Sequence, residues 1–130
     1  MNENAKKWVA ALRSVEFKQA YGTLGGPDMG YCCLGVACVV YERETGKKLP
    51  KEVGGSYAEG DLCGGAWADV RHWVGLDDGC GGFRFVVAAG DAFDDGLANL
   101  NDSREFGFDQ IADIIESEPR GLFVGGSNDQ

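Results

Sequence analysis

Tyr31-Cys32-Cys33-Leu34-Gly35-Val36 constrains the fold of this chain more than any other stretch. Two adjacent cysteines open an apolar run with a glycine inside it. Zinc sites and disulfide frameworks space their cysteines more widely. Cysteine is among the most buried residue types, so the run reads as the first turns of a packed helix. Two polar companions accompany it in the chain, Lys18-Gln19 upstream and the 97–102 segment, Leu-Ala-Asn-Leu-Asn-Asp, downstream. The three together suggest one site.

The 130 residues are enough for one domain with its own core. Residues 1–124 are expected to form that domain and residues 125–130 a loose C-terminal tail. No run of eighteen apolar residues is present, so no membrane span is expected. The first residues lack the apolar stretch of a signal peptide. Five cysteines, two of them adjacent, suit thiols in a reducing cytosol better than a secreted scaffold. Net charge is −9, divided unevenly. Residues 1–51 carry eight Lys/Arg against five Asp/Glu, and residues 52–130 carry four against sixteen. An acidic chain is a poor direct binder of nucleic acid. The acid mainly serves solubility. Its distribution also allows a basic third facing an anionic ligand, or an acidic face mimicking DNA.

Periodicity predicts an α+β fold, compact and predominantly helical. It has four to five helices, a short β-hairpin and a small antiparallel sheet. A helix over 4–14 carries Trp8, Val9 and Leu12 on one stripe, with Asn4 as its cap. Alternation over 17–24 predicts a strand, and the Gly/Pro-rich 25–30 a turn pairing it back to Tyr31. Helices follow over 33–45, stopped by Gly46, and over 66–74, stopped by Gly75. Residues 83–88 read as a strand, 94–100 as a short helix and 109–117 as the last helix. Phe108 is placed as a hydrophobic staple, Pro119 as the stop, and 122–124 as a terminal strand. Eleven glycines among 54–96 predict mostly loop there.

Most candidate chemistry is better explained by structure. Cys63, His72 and Cys80 match no zinc spacing, and His72 is the sole histidine. No metal or other cofactor is therefore expected. A catalytic cysteine needs a base, and no Cys–His pair is readable. Neither a P-loop nor a dinucleotide fingerprint occurs. The many carboxylates, Asp91, Asp94 and Asp95 among them, show no metal-binding spacing. Lys18 and Gln19, between Phe17 and Tyr21, offer charge, amide and stacking ring. Asn99 or Asn101 offers an amide and Asp102 a hydroxyl acceptor, though a turn-closing role for Asp102 is equally consistent. Arg13, Lys18 and the second helix's first amides suit a phosphate.

Four blocks, taken in order, resemble a widespread family of small phage and prophage proteins. They are Trp8-x₃-Leu12-Arg13-Ser14-x₂-Phe17-Lys18-Gln19, Tyr31-Cys32-Cys33-Leu34-Gly35-Val36-x-Cys38, Leu97-x₂-Leu100-Asn101-Asp102 and Phe108-x₂-Ile111-Ala112-Asp113-x-Ile115-Glu116. The chain departs from the pattern at Val15, where glycine is usual, at Ala20-Tyr21, where a more polar pair is expected, and through the glycine-rich middle. Small accessory phage proteins of this kind include oligomeric sponges of host immune signals, such as the anti-Thoeris and anti-CBASS proteins of the Lockin and Sequestin type. The resemblance implies a non-enzymatic homo-oligomer in the host bacterial cytosol. It would sequester a cyclic or ADP-ribose-type nucleotide.

On this reading Arg13 and Lys18 contact phosphate, Gln19 and Tyr31 the base, and Asn101 and Asp102 the ribose. Tyr21, Cys32, Asn99 and Phe108 complete the expected ligand-binding set. An acidic inhibitor of a host defence protein is the alternative. An acid- or metal-dependent hydrolase of a signalling nucleotide ranks lowest.

Overall fold

The structure is a computed structural model and describes residues 1–86 and 92–124. It is α+β, with five helices and two small antiparallel sheets among the described residues. The expected tail, Asp91, and the last two residues of the expected 83–88 strand lie outside them.

Helix α1 spans Glu3–Arg13 and buries Ala5, Trp8, Val9 and Leu12. Its cap is Asn2, whose side chain accepts from the Ala5 N–H at 2.7 Å, and not Asn4. Both asparagine amides instead donate to the Trp73 carbonyl, at 3.2 and 3.0 Å. That carbonyl lies in the last turn of α3 (Ala66–Val74), where no intrahelical donor remains for it. The extra asparagine is therefore spent on joining α1 to α3.

Strands β1 (Gly25–Gly26) and β2 (Gly30–Tyr31) form the hairpin that precedes α2 (Cys33–Thr45). The expected strand over 17–24 does not form. Bends occupy 21–23, and only Gln19 bridges to Tyr31, in parallel. The Ala20 N–H donates to the Tyr31 carbonyl and the Tyr31 N–H to the Lys18 carbonyl, each at 2.8 Å. The alternation reflects a chain pinned at one point, with Leu24 buried and Tyr21 outside.

Helix α2 is the centre of the molecule. Eight of its thirteen residues are buried, including Cys33, Leu34, Gly35 and Cys38. Such all-round burial explains why its sequence shows no strong stripe. The Trp8 indole, itself fully buried, donates to the Cys33 carbonyl at 2.8 Å and ties α1 to the start of α2.

Strands β3 (Gly82–Val86) and β4 (Ala92–Gly96) form the second sheet, with Arg84 opposite Asp94. β4 occupies part of the segment expected as helix, so α4 begins later, at Leu97–Asp102. Helix α5 (Phe108–Glu116) packs on α1 through Ile111, Ala112 and Ile115. The Gln110 side chain takes the Gly107 N–H at 2.9 Å, which caps its start. The 122–124 segment makes only one antiparallel bridge, Phe123 to Leu76.

Candidate functional site

Gln19, Cys33 and Asn101 come together over more than eighty residues of sequence. Asn101 is the only buried polar residue among those described, with no exposed surface. Its Oδ1 accepts from Gln19 Nε2 at 2.8 Å and from the Cys33 N–H at 3.3 Å. Its Nδ2 donates to the Ala20 carbonyl at 2.8 Å and to Asp102 Oδ1 at 3.3 Å. Gln19 Nε2 also donates to the Phe106 carbonyl at 2.9 Å, and Asp102 Oδ1 accepts from the Gly22 N–H at 2.8 Å. An amide in a dry interior is stable only when its donors and acceptor are all used, as these are. The three motifs thus build one network. Its Asn101 amide is spent on protein, where the sequence reading assigned it to a ligand.

The cysteines complete the same junction. Cys32 caps α2, its sulfur accepting from the Gly35 N–H at 3.4 Å. Burial pushes its thiol up to about 11. Burial likewise raises Cys33 and Cys38 well above the ordinary thiol range. The Cys33 thiol donates to the Leu97 carbonyl at 3.6 Å. Protonated and enclosed, none of the three is a nucleophile. Cys32 reaches no ligand without opening the core. Gly35 explains the glycine of the motif: a Cβ there would stand 1.8 Å from the Leu24 carbonyl oxygen. The hairpin backbone presses directly on the first turn of α2.

The remaining expected ligand residues are dispersed. Arg13 is clamped by Asp113 at 2.7 Å and by Glu116, both on α5, and these carboxylates raise its pKa further. It is committed to an ion pair rather than offered to phosphate. Lys18 is exposed, and its ammonium meets no partner among the described residues. Its Cβ lies close to Gly30, 3.2 Å from where a Cβ there would stand. Tyr21 is exposed beneath Arg104, whose guanidinium carbon is 4.4 Å from the ring centre. Tyr31 lies in a row of rings, 5.7 Å from Phe17 and 6.1 Å from Tyr57. Asn99 donates to Asp95 at 2.9 Å and lines a groove with it and Asp102.

Phe108 and Gln19 do share a groove of about 490 Å³, between the end of α1 and the start of α5. Phe17, Val15 and Gln110 also line it. The sequence reading did not include Val15 or Gln110 in the site. Val15 is 90% exposed and takes a left-handed conformation, φ 56°. A β-branched residue is strained there, and such strain concentrates at functional positions. The missed signal was the departure from glycine at Val15. Arg43 stands over the Phe17 ring at 5.3 Å and pairs with Glu16.

Two further grooves, of about 510 and 530 Å³, flank the β3–β4 hairpin and share Asp78, Asp94 and Asp95. Asn99 and Asp102 line the second. Arg84 pairs with Asp94 at 2.9 Å and lowers its pKa. The lone imidazole, His72, is exposed beside the Arg71 guanidinium at 3.3 Å. No described thiol or carboxylate is paired with it as a catalytic base requires.

No curated protein and no solved structure matches the chain. Residues 1–119 match the family described as a domain of unknown function, DUF8296. That match takes in the hairpin, the Asn101 network and all five helices, and the chain belongs to this family.

Proposed function

We propose that this is a phage accessory protein that binds and sequesters a nucleotide-derived host immune signal without cleaving it. The observation that carries the reading is the groove between α1 and α5. It combines two aromatic side chains, Phe17 and Phe108, with two amides, Gln19 and Gln110. Gln19 spends its Nε2 on Asn101 and Phe106 and so holds its carbonyl oxygen in place for a base edge. Rings that stack and amides that read an edge suit a nucleobase. The strained Val15 at the rim and the resemblance to anti-defence sponges support the same reading. Symmetric assembly would close the open side of the groove with a second subunit.

The test is a thermal-shift panel of cyclic and ADP-ribose-type nucleotides, followed by chromatography of what heat releases. One nucleotide should raise the melting point and be recovered intact. A flat panel contradicts binding, and a recovered cleavage product contradicts sequestration.

A second reading is favoured by the acidic groove that runs from Asp78 to Asp102. Asp78, Asp95 and Asp102, with Asp94 held by Arg84, line it without a lysine or arginine among the lining residues, an acidic surface suited to a basic protein partner. A stoichiometric host partner, lost in the Asp94→Asn/Asp95→Asn variant, would establish it in place of the first.

A further inference from the structure

The loop that precedes α3 and the loop that follows it bring an acid and two thiols together. Asp61, Cys63 and Cys80 hold their ligand atoms within 4.8 Å of one another. We propose that these three residues form a binding site for a thiophilic divalent cation, zinc in the first instance.

The donor set favours such an ion. Two sulfurs and one carboxylate oxygen select zinc-like cations over magnesium or calcium, which prefer all-oxygen shells. Tetrahedral zinc places two thiolate sulfurs about 3.8 Å apart, given bonds of about 2.3 Å. The two sulfurs, already within 4.8 Å of each other, thus have at most about 1 Å to close onto an ion.

The backbone is already arranged for this. Asp61 Oδ1 accepts from the Cys63 N–H at 3.0 Å, and Asp78 Oδ1 from the Cys80 and Gly82 N–H groups, each at 2.9 Å. The Leu62 N–H donates to the Gly79 carbonyl at 2.9 Å, tying the two cysteine loops together, and the Leu62 side chain is fully buried. A Cβ on Gly79 would stand 2.4 Å from Cys63 Sγ. Glycine at that position is what lets the sulfur approach. Both thiols are exposed, unlike the three in the core.

His72 is not part of the set, because its ring lies against Arg71. Three protein ligands leave the fourth position to water or a solute. Cys80 also lines the acidic groove beside Asn99 and Asp102, which gives solutes access to that position. On binding, the two thiols release their protons to solvent and the ion takes two thiolates and a carboxylate. The proposal does not rest on the α1–α5 groove, and either can fail alone.

The fully reduced protein, titrated with cobalt(II) in the presence of a phosphine reductant, tests it. One equivalent should produce thiolate charge-transfer absorption and the visible bands of a tetrahedral ion, both abolished by zinc. Cys63→Ser and Cys80→Ser should each weaken zinc binding by at least about 100-fold, more than the loss of an outer partner costs. His72→Ala should leave it unchanged. A reduced wild-type protein with no charge-transfer band overturns the proposal, as does undiminished zinc affinity in both serine variants.

Discussion

Asn101 is the residue on which the junction of hairpin, α2 and α4 turns. Removing its amide takes the partner from the buried Cys33 N–H and Ala20 carbonyl, leaves Gln19 Nε2 with Phe106 alone, and opens a small cavity. Asn101→Ala should cost about 3 kcal/mol in urea unfolding. Gly35→Ala drives a methyl into the Leu24 carbonyl and should cost about as much. Gly60→Ala, with nothing within 4 Å of the new Cβ, should stay within about 0.5 kcal/mol of wild type. Val15→Gly relieves a left-handed β-branched residue and should stabilise by about 0.5–1 kcal/mol, since the glycine's added unfolded-state entropy offsets part of the gain. Thiol titration separates the cysteines: in metal-free protein Cys63 and Cys80 should react at once, and Cys32, Cys33 and Cys38 only after unfolding. The packed role of the adjacent cysteines was legible in their spacing. The involvement of Asn101 was legible too, but not its burial, because nothing local distinguishes an amide spent on protein from one offered to a ligand.

Elements whose signals are local followed the periodicity closely. Helices α2 and α3 span the expected residues and stop at Gly46 and Gly75. Those that depend on distant partners did not. Strand β4 exists because residues 82–86 lie opposite it, and its Asp-Asp pair carries no strand propensity of its own. Residues 17–24 alternate like a strand yet find only one bridge. The groove was legible only in fragments, since it joins the end of α1 to the start of α5. Another long-range tie predicts pH behaviour. Glu42, near the end of α2, accepts from Lys51 at 2.6 Å, the Leu49 N–H at 2.8 Å and the Tyr57 hydroxyl at 2.7 Å. Burial pushes its carboxyl up, but these bonds outweigh it and hold the pKa below the usual 4.5. The sign follows: a depressed folded pKa stabilises fully above the unfolded value and loses that stability as pH falls through the folded one. The melting point should therefore drop below about pH 4.5, and Glu42→Gln should lower it at neutral pH while flattening that acid limb.

At the scale of the molecule, charge and shape divide the surface. The aromatic groove lies between α1 and α5, while an acidic groove and one of mixed charge border strands β3 and β4. Among the described residues no helix is long and apolar enough to cross a membrane. Burial raises the core thiols well above their ordinary range, and the one imidazole is exposed beside an arginine. A ligand seated in the groove would stack on Phe108, so Phe108→Ala should weaken its binding by about 1–3 kcal/mol, a loss read by isothermal titration. The most direct measurement is the nucleotide panel with recovery of the released ligand, run on wild type and Phe108→Ala together. Sequestration predicts a melting-point rise with one nucleotide, its recovery intact in stoichiometric amount, and a smaller rise in the variant. No rise with any nucleotide, or recovery of a cleaved product, would contradict it.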